Sequence, residues 1–213
     1  PFEKQYFKDD TRLQDFVKSC DAIVHLAAMN RHEDDRVIYN TNIGLVKALI
    51  NACEATNTKP HILFSSSTQE ERDNLYGQSK RDGRLTLEEW AKCHNALVSG
   101  LVIPNVFGPF ARPFYNSVVA TFCHQLTHGE HPVIHTDNEL GLIYVNELAE
   151  AIYSLISVRE KEAGSRDTIL RQVIPPTYKV KVSEILGLLE SYQKDYLENG
   201  IFPDLTKPFE KAL

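Results

Sequence analysis

Phe64-Ser65-Ser66-Ser67 is followed nine residues later by Tyr76-Gly77-Gln78-Ser79-Lys80. The serines close an apolar run, His61-Ile62-Leu63-Phe64, that reads as a buried strand, so their hydroxyls arrive at a strand end. The second segment sets a phenol and an ammonium four residues apart at a helix start, on one face of one turn. A nearby ammonium favours phenolate and pulls a tyrosine down from its ordinary pKa of about 10. A tyrosine tuned in this way can exchange a proton with a carbonyl oxygen near neutral pH. The chemistry proposed is carbonyl/alcohol redox, which needs a hydride donor. Of the nine tyrosines only Tyr76 has a lysine four residues on. The hydroxyl-bearing strand end just before it separates this pair from a chance one.

The elements that must position these groups alternate between strand and helix, which predicts an α/β fold with a mostly parallel sheet. Residues 11–19 read as a short helix capped by Asp10 or Thr11, and Ala22-Ile23-Val24-His25-Leu26 as a strand ending at Ala27-Ala28. A long helix over 37–56 carries Ile43, Val46, Leu49, Ile50 and Cys53 on one stripe, and residues 60–65 form the next strand. Tyr76 opens a helix to about His94, and Ala96–Ile103 is again strand-like. Beyond the irregular loop at Pro104 and Gly108-Pro109, a helix runs from Asn116 to about Leu126 and Pro132-Val133-Ile134 reads as a short strand. Leu142–Val145 leads into a helix to about Val158, residues 159–167 read as a charged surface loop, and Tyr178–Val182 is extended. Ser183 then caps an amphipathic helix to about Leu197. In open parallel sheets ligands lie beyond the carboxyl ends of strands. Three such ends carry small or polar residues here: Ala27-Ala28, Ser65–Ser67 and Pro104-Asn105.

A length of 213 residues suits one domain or one plus a small lobe, and 42% hydrophobic with 24% charged residues is the balance of a soluble globular chain. A net charge of −6 argues against a general role on nucleic acid or anionic membrane. No apolar run suits a membrane span and no signal peptide is evident, so a cytoplasmic protein is expected. Cys20, Cys53, Cys93 and Cys123 are widely spaced, as free thiols in a reducing compartment would be. Cys123, His124, His128 and His131 invite a metal reading, but a helix end turning at Gly129 accounts for them, and no metal is expected.

Taken together these residues resemble the extended short-chain dehydrogenase/reductases, the NAD-dependent epimerase/dehydratase superfamily. His25-Leu26-Ala27-Ala28 resembles its fourth-strand signature, Asn42-Ile43 its structural Asn-Val element, and Pro104-Asn105-Val106-Phe107-Gly108-Pro109 its later loop, all in the right order around Ser-Ser-Ser and Tyr-x-x-x-Lys. Within the family the chain is most similar to CapF-type (WbjC-like) capsular-polysaccharide enzymes, through the short Ser67-to-Tyr76 connection, Asn30-Arg31 and Asn116–Cys123. The resemblance implies a Rossmann-like doubly wound parallel sheet over 1–213, with roughly 105–213 forming a small substrate-binding lobe. It implies NADPH, with NADH possible, reducing a 4-keto UDP-sugar for surface polysaccharide. Tyr76 would protonate the keto oxygen, Lys80 would hold the nicotinamide ribose, Ser67 would hydrogen-bond the same oxygen, and Asn42 would anchor a water. Leu26, Ala27, Ala28, Ser65, Pro104 and Asn105 would line the cofactor; Asn105, Arg112 and Asn116 would contact the nucleotide. A homodimer through the helices at roughly 37–56 and 80–94, and a cupin domain in the parent protein, would complete it.

Departures from the family pattern shape the expectation. None of the ten glycines sits in the family's G-x-x-G-x-x-G phosphate loop, and the family's nucleotide-gripping Arg is missing from Glu139–Glu147, as it is in CapF-type enzymes. The chain is therefore expected to be an internal fragment, inactive alone and a weak cofactor binder. Two alternatives stand beside the reductase. One is a 4-epimerase or 4,6-dehydratase, for which Glu70 and Glu71 are candidate acids. The other is a non-catalytic binding or dimerisation module.

Overall fold

The computed structural model describes residues 2–161, 168–201 and 204–213. The chain divides into two compact units, one built from residues up to Ile103 together with Ser154–Ile174, the other from Pro104–Tyr153 and Pro175–Leu213.

The first unit opens with α1 (Asp10–Lys18), whose cap is Asp9 rather than Asp10 or Thr11; its carboxylate accepts the Arg12 N–H at 3.1 Å. After β1 (Ala22–His25) comes α2 (Asp35–Thr56), capped by Asp34 and ended by Asn57 in the left-handed region at φ 51°. The expected stripe faces inward: Val46, Leu49, Ile50 and Cys53 are buried, and Ile43 partly so. β2 (His61–Ser67) runs through all three serines and passes into a 3-10 turn, Thr68–Glu71. Asn74 caps α3 (Leu75–His94) by accepting the Gly77 N–H at 2.7 Å, and β3 (Val98–Ile103) follows.

These strands form a parallel sheet in the order β1-β2-β3-β6, with β6 spanning Ile169–Val173. β2 pairs with β3 up to Ser67↔Ile103, so the serines are ladder residues whose backbone is fixed on that side. Among the described residues β1 has a neighbour on one side only. β6 escaped sequence reading because it is an edge strand whose side chains are only half-buried or exposed, which leaves no apolar signature. The core gathers Leu13 and Val17 of α1, Val46, Leu49 and Cys53 of α2, Ile62 and Phe64 of β2, and Leu87, Trp90 and Ala91 of α3.

In the second unit β4 (Asn105–Phe107), β5 (Glu139–Tyr144) and β7 (Tyr178–Lys181) form a sheet in the order β4-β5-β7, with the last pair antiparallel. α4 (Val118–Thr127) and α6 (Val182–Tyr192) pack on its core of Phe107, Val119, Phe122, Leu142, Val180, Ile185 and Leu189. A π-helical segment, Gln193–Glu198, extends α6, and α7 spans Pro208–Ala212. α5 (Val145–Lys161) is divided between the units.

Four expectations are corrected here. Pro132-Val133-Ile134 forms no strand: proline lacks the N–H a ladder needs, and Val133 is 65% exposed. α4 is capped by Ser117, which accepts the Ala120 N–H at 3.2 Å, so Asn116 lies outside the helix. Lys181, not Ser183, stands at the cap position of α6; Ser183 lies in its first turn and gives both its N–H and its hydroxyl to Asp137, each at 2.8 Å. The charged stretch at 159–167 begins inside α5, and 162–167 lie outside the described residues. No helix among the described residues is long and apolar enough to cross a membrane.

His25 ends β1 at 4% exposure, stacked on Phe64 with ring centroids 5.6 Å apart. Burial, reinforced by the Lys80 charge, pushes its imidazole down to about 4 from 6.5. Between those values the unfolded chain holds a proton that the folded chain refuses, so stability is full above 6.5 and is lost as pH falls toward 4. The loss should reach roughly 3 kcal/mol. Urea unfolding from pH 7 to pH 4 should show it in the wild type, and His25→Phe should remove that part of the slope.

Candidate active site

Lys80 sits in the second turn of α3, and the helix turns its side chain into the first unit beside β2. It is 4% exposed. Its ammonium donates to the Ser65 carbonyl at 2.8 Å, with the Ser65 hydroxyl at 3.5 Å, and stands 5.2 Å from the centre of the Phe64 ring. An ammonium has three hydrogens to give, so a strong contact to one carbonyl leaves donors for a ligand. Burial brings the amine down to about 8, and the Glu70 charge works against that fall.

Tyr76, one turn earlier and half-buried, has its ring centre 6.0 Å from the Lys80 ammonium. The four-residue spacing therefore brings the two groups together as expected. What aims them is a set of hydrogen bonds that sequence reading partly missed. Ser79 donates its hydroxyl to the Tyr76 carbonyl at 2.7 Å and accepts from the Asn42 amide at 2.9 Å. Asn42 is buried; its Oδ1 accepts the Met29 N–H at 2.7 Å and its Nδ2 also donates to the Met29 carbonyl at 2.9 Å. One side chain thus ties the loop after β1 to α3 through α2. Both amide hydrogens of Asn42 are committed, which leaves a lone pair of Oδ1 for any water. Ser79 was legible only as a letter inside Tyr-x-x-x-Lys; nothing in its spacing announced a hub.

The serines divide their work. Ser65 donates to the His25 carbonyl at 3.1 Å and so links β2 to β1, and Ser66 donates to the buried Glu70 carboxylate. Ser67 accepts the Gln69 N–H at 3.2 Å as the cap of the 3-10 turn, and its hydroxyl hydrogen is left to donate elsewhere. Gly77 explains how that turn meets α3. A Cβ at this position would lie 2.0 Å from the Gln69 carbonyl oxygen. Only glycine lets the start of α3 rest directly on the turn that follows Ser67.

At the end of β1 Leu26 is 60% exposed while Ala27 and Ala28 are half-buried. In the second unit Pro104 precedes β4, Asn105 is its exposed first residue, and Arg112 lies over the Tyr115 ring at 5.7 Å. Asn116 is exposed just before the Ser117 cap. Tyr76, Lys80, Ser65, Ser67 and Asn42 thus gather within one unit, and Asn105, Arg112 and Asn116 belong to the other.

Residues 2–168 match the profile of the NAD dependent epimerase/dehydratase family. The chain belongs to that family. It is 31% identical over 182 residues to a UDP-2-acetamido-2,6-beta-L-arabino-hexul-4-ose reductase of Pseudomonas aeruginosa, a match covering 85% of this chain and 47% of that protein. Among solved structures it resembles the capsular polysaccharide assembling protein CapF from Staphylococcus aureus, at 31% identity and a TM-score of 0.76 over 99% of this chain and 54% of that one. A UDP-N-acetylglucosamine 4-epimerase from Methanobrevibacter ruminantium shares the fold at 23% identity, TM-score 0.74, over 92% of this chain and 66% of that one. The chain spans about half the length of the first two relatives. The α/β class with a parallel, Rossmann-like sheet and the CapF-type kinship read from the sequence both hold.

Three expected outcomes follow from the geometry. Gly77→Ala should cost about 1–3 kcal/mol in chemical denaturation, because backbone must move. Gly44→Ala, exposed in α2 with nothing within 4 Å, should instead gain about 1 kcal/mol of helix propensity. Lys80 carries a charge that burial opposes: below pH 8 the cost is full, and it is relieved as pH rises from 8 toward 10.5. Lys80→Met should therefore raise stability by about 1–3 kcal/mol at pH 7, with a gain that shrinks toward pH 10.5.

Proposed function

We propose that this chain is the reductase portion of a protein that reduces a 4-keto UDP-sugar in surface-polysaccharide precursor synthesis. The observation that carries this reading is the buried Lys80 ammonium one helical turn from Tyr76, beside the hydroxyl-bearing end of β2. A reduced nicotinamide, NADPH in this reading, supplies the hydride when bound. Tyr76 gives its phenolic proton to the developing alkoxide, and the Lys80 charge stabilises the phenolate left behind. Ser67 donates a hydrogen bond to the same oxygen. The donors that Lys80 keeps free suit ribose hydroxyls, and the small Ala27 and Ala28 allow a cofactor close to the end of β1. Family resemblance assigns Leu26, Ser65, Pro104 and Asn105 to the cofactor, and Asn105, Arg112 and Asn116 to the nucleotide.

The CapF-type kinship and the reductase relative support reduction over the neighbouring reactions. Of the two candidate acids for a dehydratase between the hydroxyls and Tyr76, Glu71 is exposed and Glu70 is not free, its carboxylate being buried in ion pairs. Burial would push it up, yet hydrogen bonds from Arg84 and Ser66 hold it below the ordinary carboxylate value. We also propose a cytoplasmic homodimer paired through α2 and α3, where Leu85 is 48% exposed, and a cupin domain in the whole protein.

Tyr76→Phe in the full native protein should lower kcat by at least 10³-fold while leaving the affinity for NADPH within about twofold, since it removes the proton donor alone. Stopped-flow oxidation of NADPH with the keto sugar, beside fluorescence titration of the cofactor, reads both. Turnover near the wild-type rate would refute the assignment of Tyr76.

A further inference from the structure

Glu70 stands three residues beyond Ser67, in the 3-10 turn, and is 3% exposed. A carboxylate so placed persists as a charge only where its oxygens are compensated. Its partners come from three elements. Arg84 of α3 gives it two hydrogen bonds, Nε to Oε1 at 2.9 Å and a terminal nitrogen to Oε2 at 3.0 Å. Ser66 of β2 donates its hydroxyl, and Arg171 of β6 approaches within 3.6 Å. Glu88 holds the other end of Arg84 at 2.7 Å. The path of Arg84 is prepared by a fourth element: a Cβ on Gly100 of β3 would fall 2.4 Å from the arginine Cδ. A guanidinium bound through two parallel bonds fixes direction as well as distance, unlike a point charge.

Arg84 lies one turn beyond Lys80 on α3, and Ser66 is the residue before Ser67. The Arg84–Glu70–Ser66 chain thus joins the two elements that carry the reacting groups. We propose that Glu70 is a positioning residue for the proton transfer, locking the hydroxyl end of β2 against α3 and so fixing Ser67 relative to Tyr76 and Lys80. The inference rests on the reductase reading. Its second arm is electrostatic. Glu70 in the turn is the anion that supports the ammonium, while His25 on β1, kept neutral by burial, and Tyr76 on its own helix are the other titratable groups beside Lys80.

The test uses the full native protein with two variants, Glu70→Gln and the paired apolar replacement Glu70→Met/Arg84→Met, which removes both buried charges together and leaves Glu88 and Arg171, the less buried members of the network, to water. Each folded variant should lose at least tenfold in kcat with KM for keto sugar and NADPH within twofold. A paired variant that folds and keeps kcat within twofold of wild type would reduce Glu70 and Arg84 to a structural role and overturn the proposal; so would failure of both variants to fold. If the wild type reduces no 4-keto sugar, the reductase reading fails on its own account. The clamp is then judged by amide hydrogen exchange over the Ser66–Glu70 segment and the first turns of α3: Glu70→Gln must lower protection there, and unchanged protection overturns the inference.

Discussion

The arrangement of the first unit depends on keeping one ammonium inside a protein. Lys80 is 4% exposed, and an amine removed from water is held charged only by what surrounds it. The Ser65 carbonyl takes one of its hydrogens, the Phe64 ring offers its face, and the Glu70 charge acts in its favour. Each of those partners is fixed by something else. Ser65 is held in the β2–β3 ladder and tied to β1 through the His25 carbonyl; α3, which brings Lys80, is braced by Ser79 and Asn42. The neutral imidazole of His25 follows from the same constraint, since a second cation beside Lys80 would be repelled as well as buried. Stability given up at one residue leaves donors available for chemistry.

What the sequence disclosed of this depends on how each residue carries its signal. Buried parallel strands and long amphipathic helices repeat their pattern over many residues, so β2, β3, α2 and α3 were legible within a residue or two, and so was the Tyr76–Lys80 pair that α3 presents. β6 was not, because an edge strand with Arg171 and Gln172 in its middle has no apolar run to detect. β4, three residues long inside a loop of prolines and glycine, gives still less. Pro132-Val133-Ile134 shows the opposite failure: Val133 and Ile134 favour strands, but beside a proline they found no partner for pairing.

Within the site the residues proposed to do chemistry were legible and the residues that aim them were not. Tyr76 and Lys80 are marked by type and spacing along one element. Asn42 could be named by resemblance, yet its three hydrogen bonds to Met29 and Ser79 are tertiary facts that no local pattern encodes. Ser183 reads locally as a helix cap but is claimed by Asp137, 46 residues away in the chain. Glu70 was a candidate acid by its place between the serines and Tyr76, a place that does not disclose its burial. Its burial becomes intelligible only once Arg84, Gly100 and Arg171 converge from three other elements.

The separation of Glu70 from Lys80 has a physical logic. Were the carboxylate paired directly with the ammonium, the Lys80 charge would be secure but its hydrogens would be spent on protein, and its amine would rise rather than fall to about 8. Handing the carboxylate to Arg84 instead gives it a partner that stays protonated at any physiological pH and grips two oxygens at once. Lys80 then feels the anion without hydrogen-bonding to it and keeps donors for a ligand. The two arginines and Ser66 make a buried acid tolerable, and that acid in turn helps make a buried base tolerable. A single direct salt bridge would settle both charges more simply and leave the ammonium less to offer a substrate or cofactor.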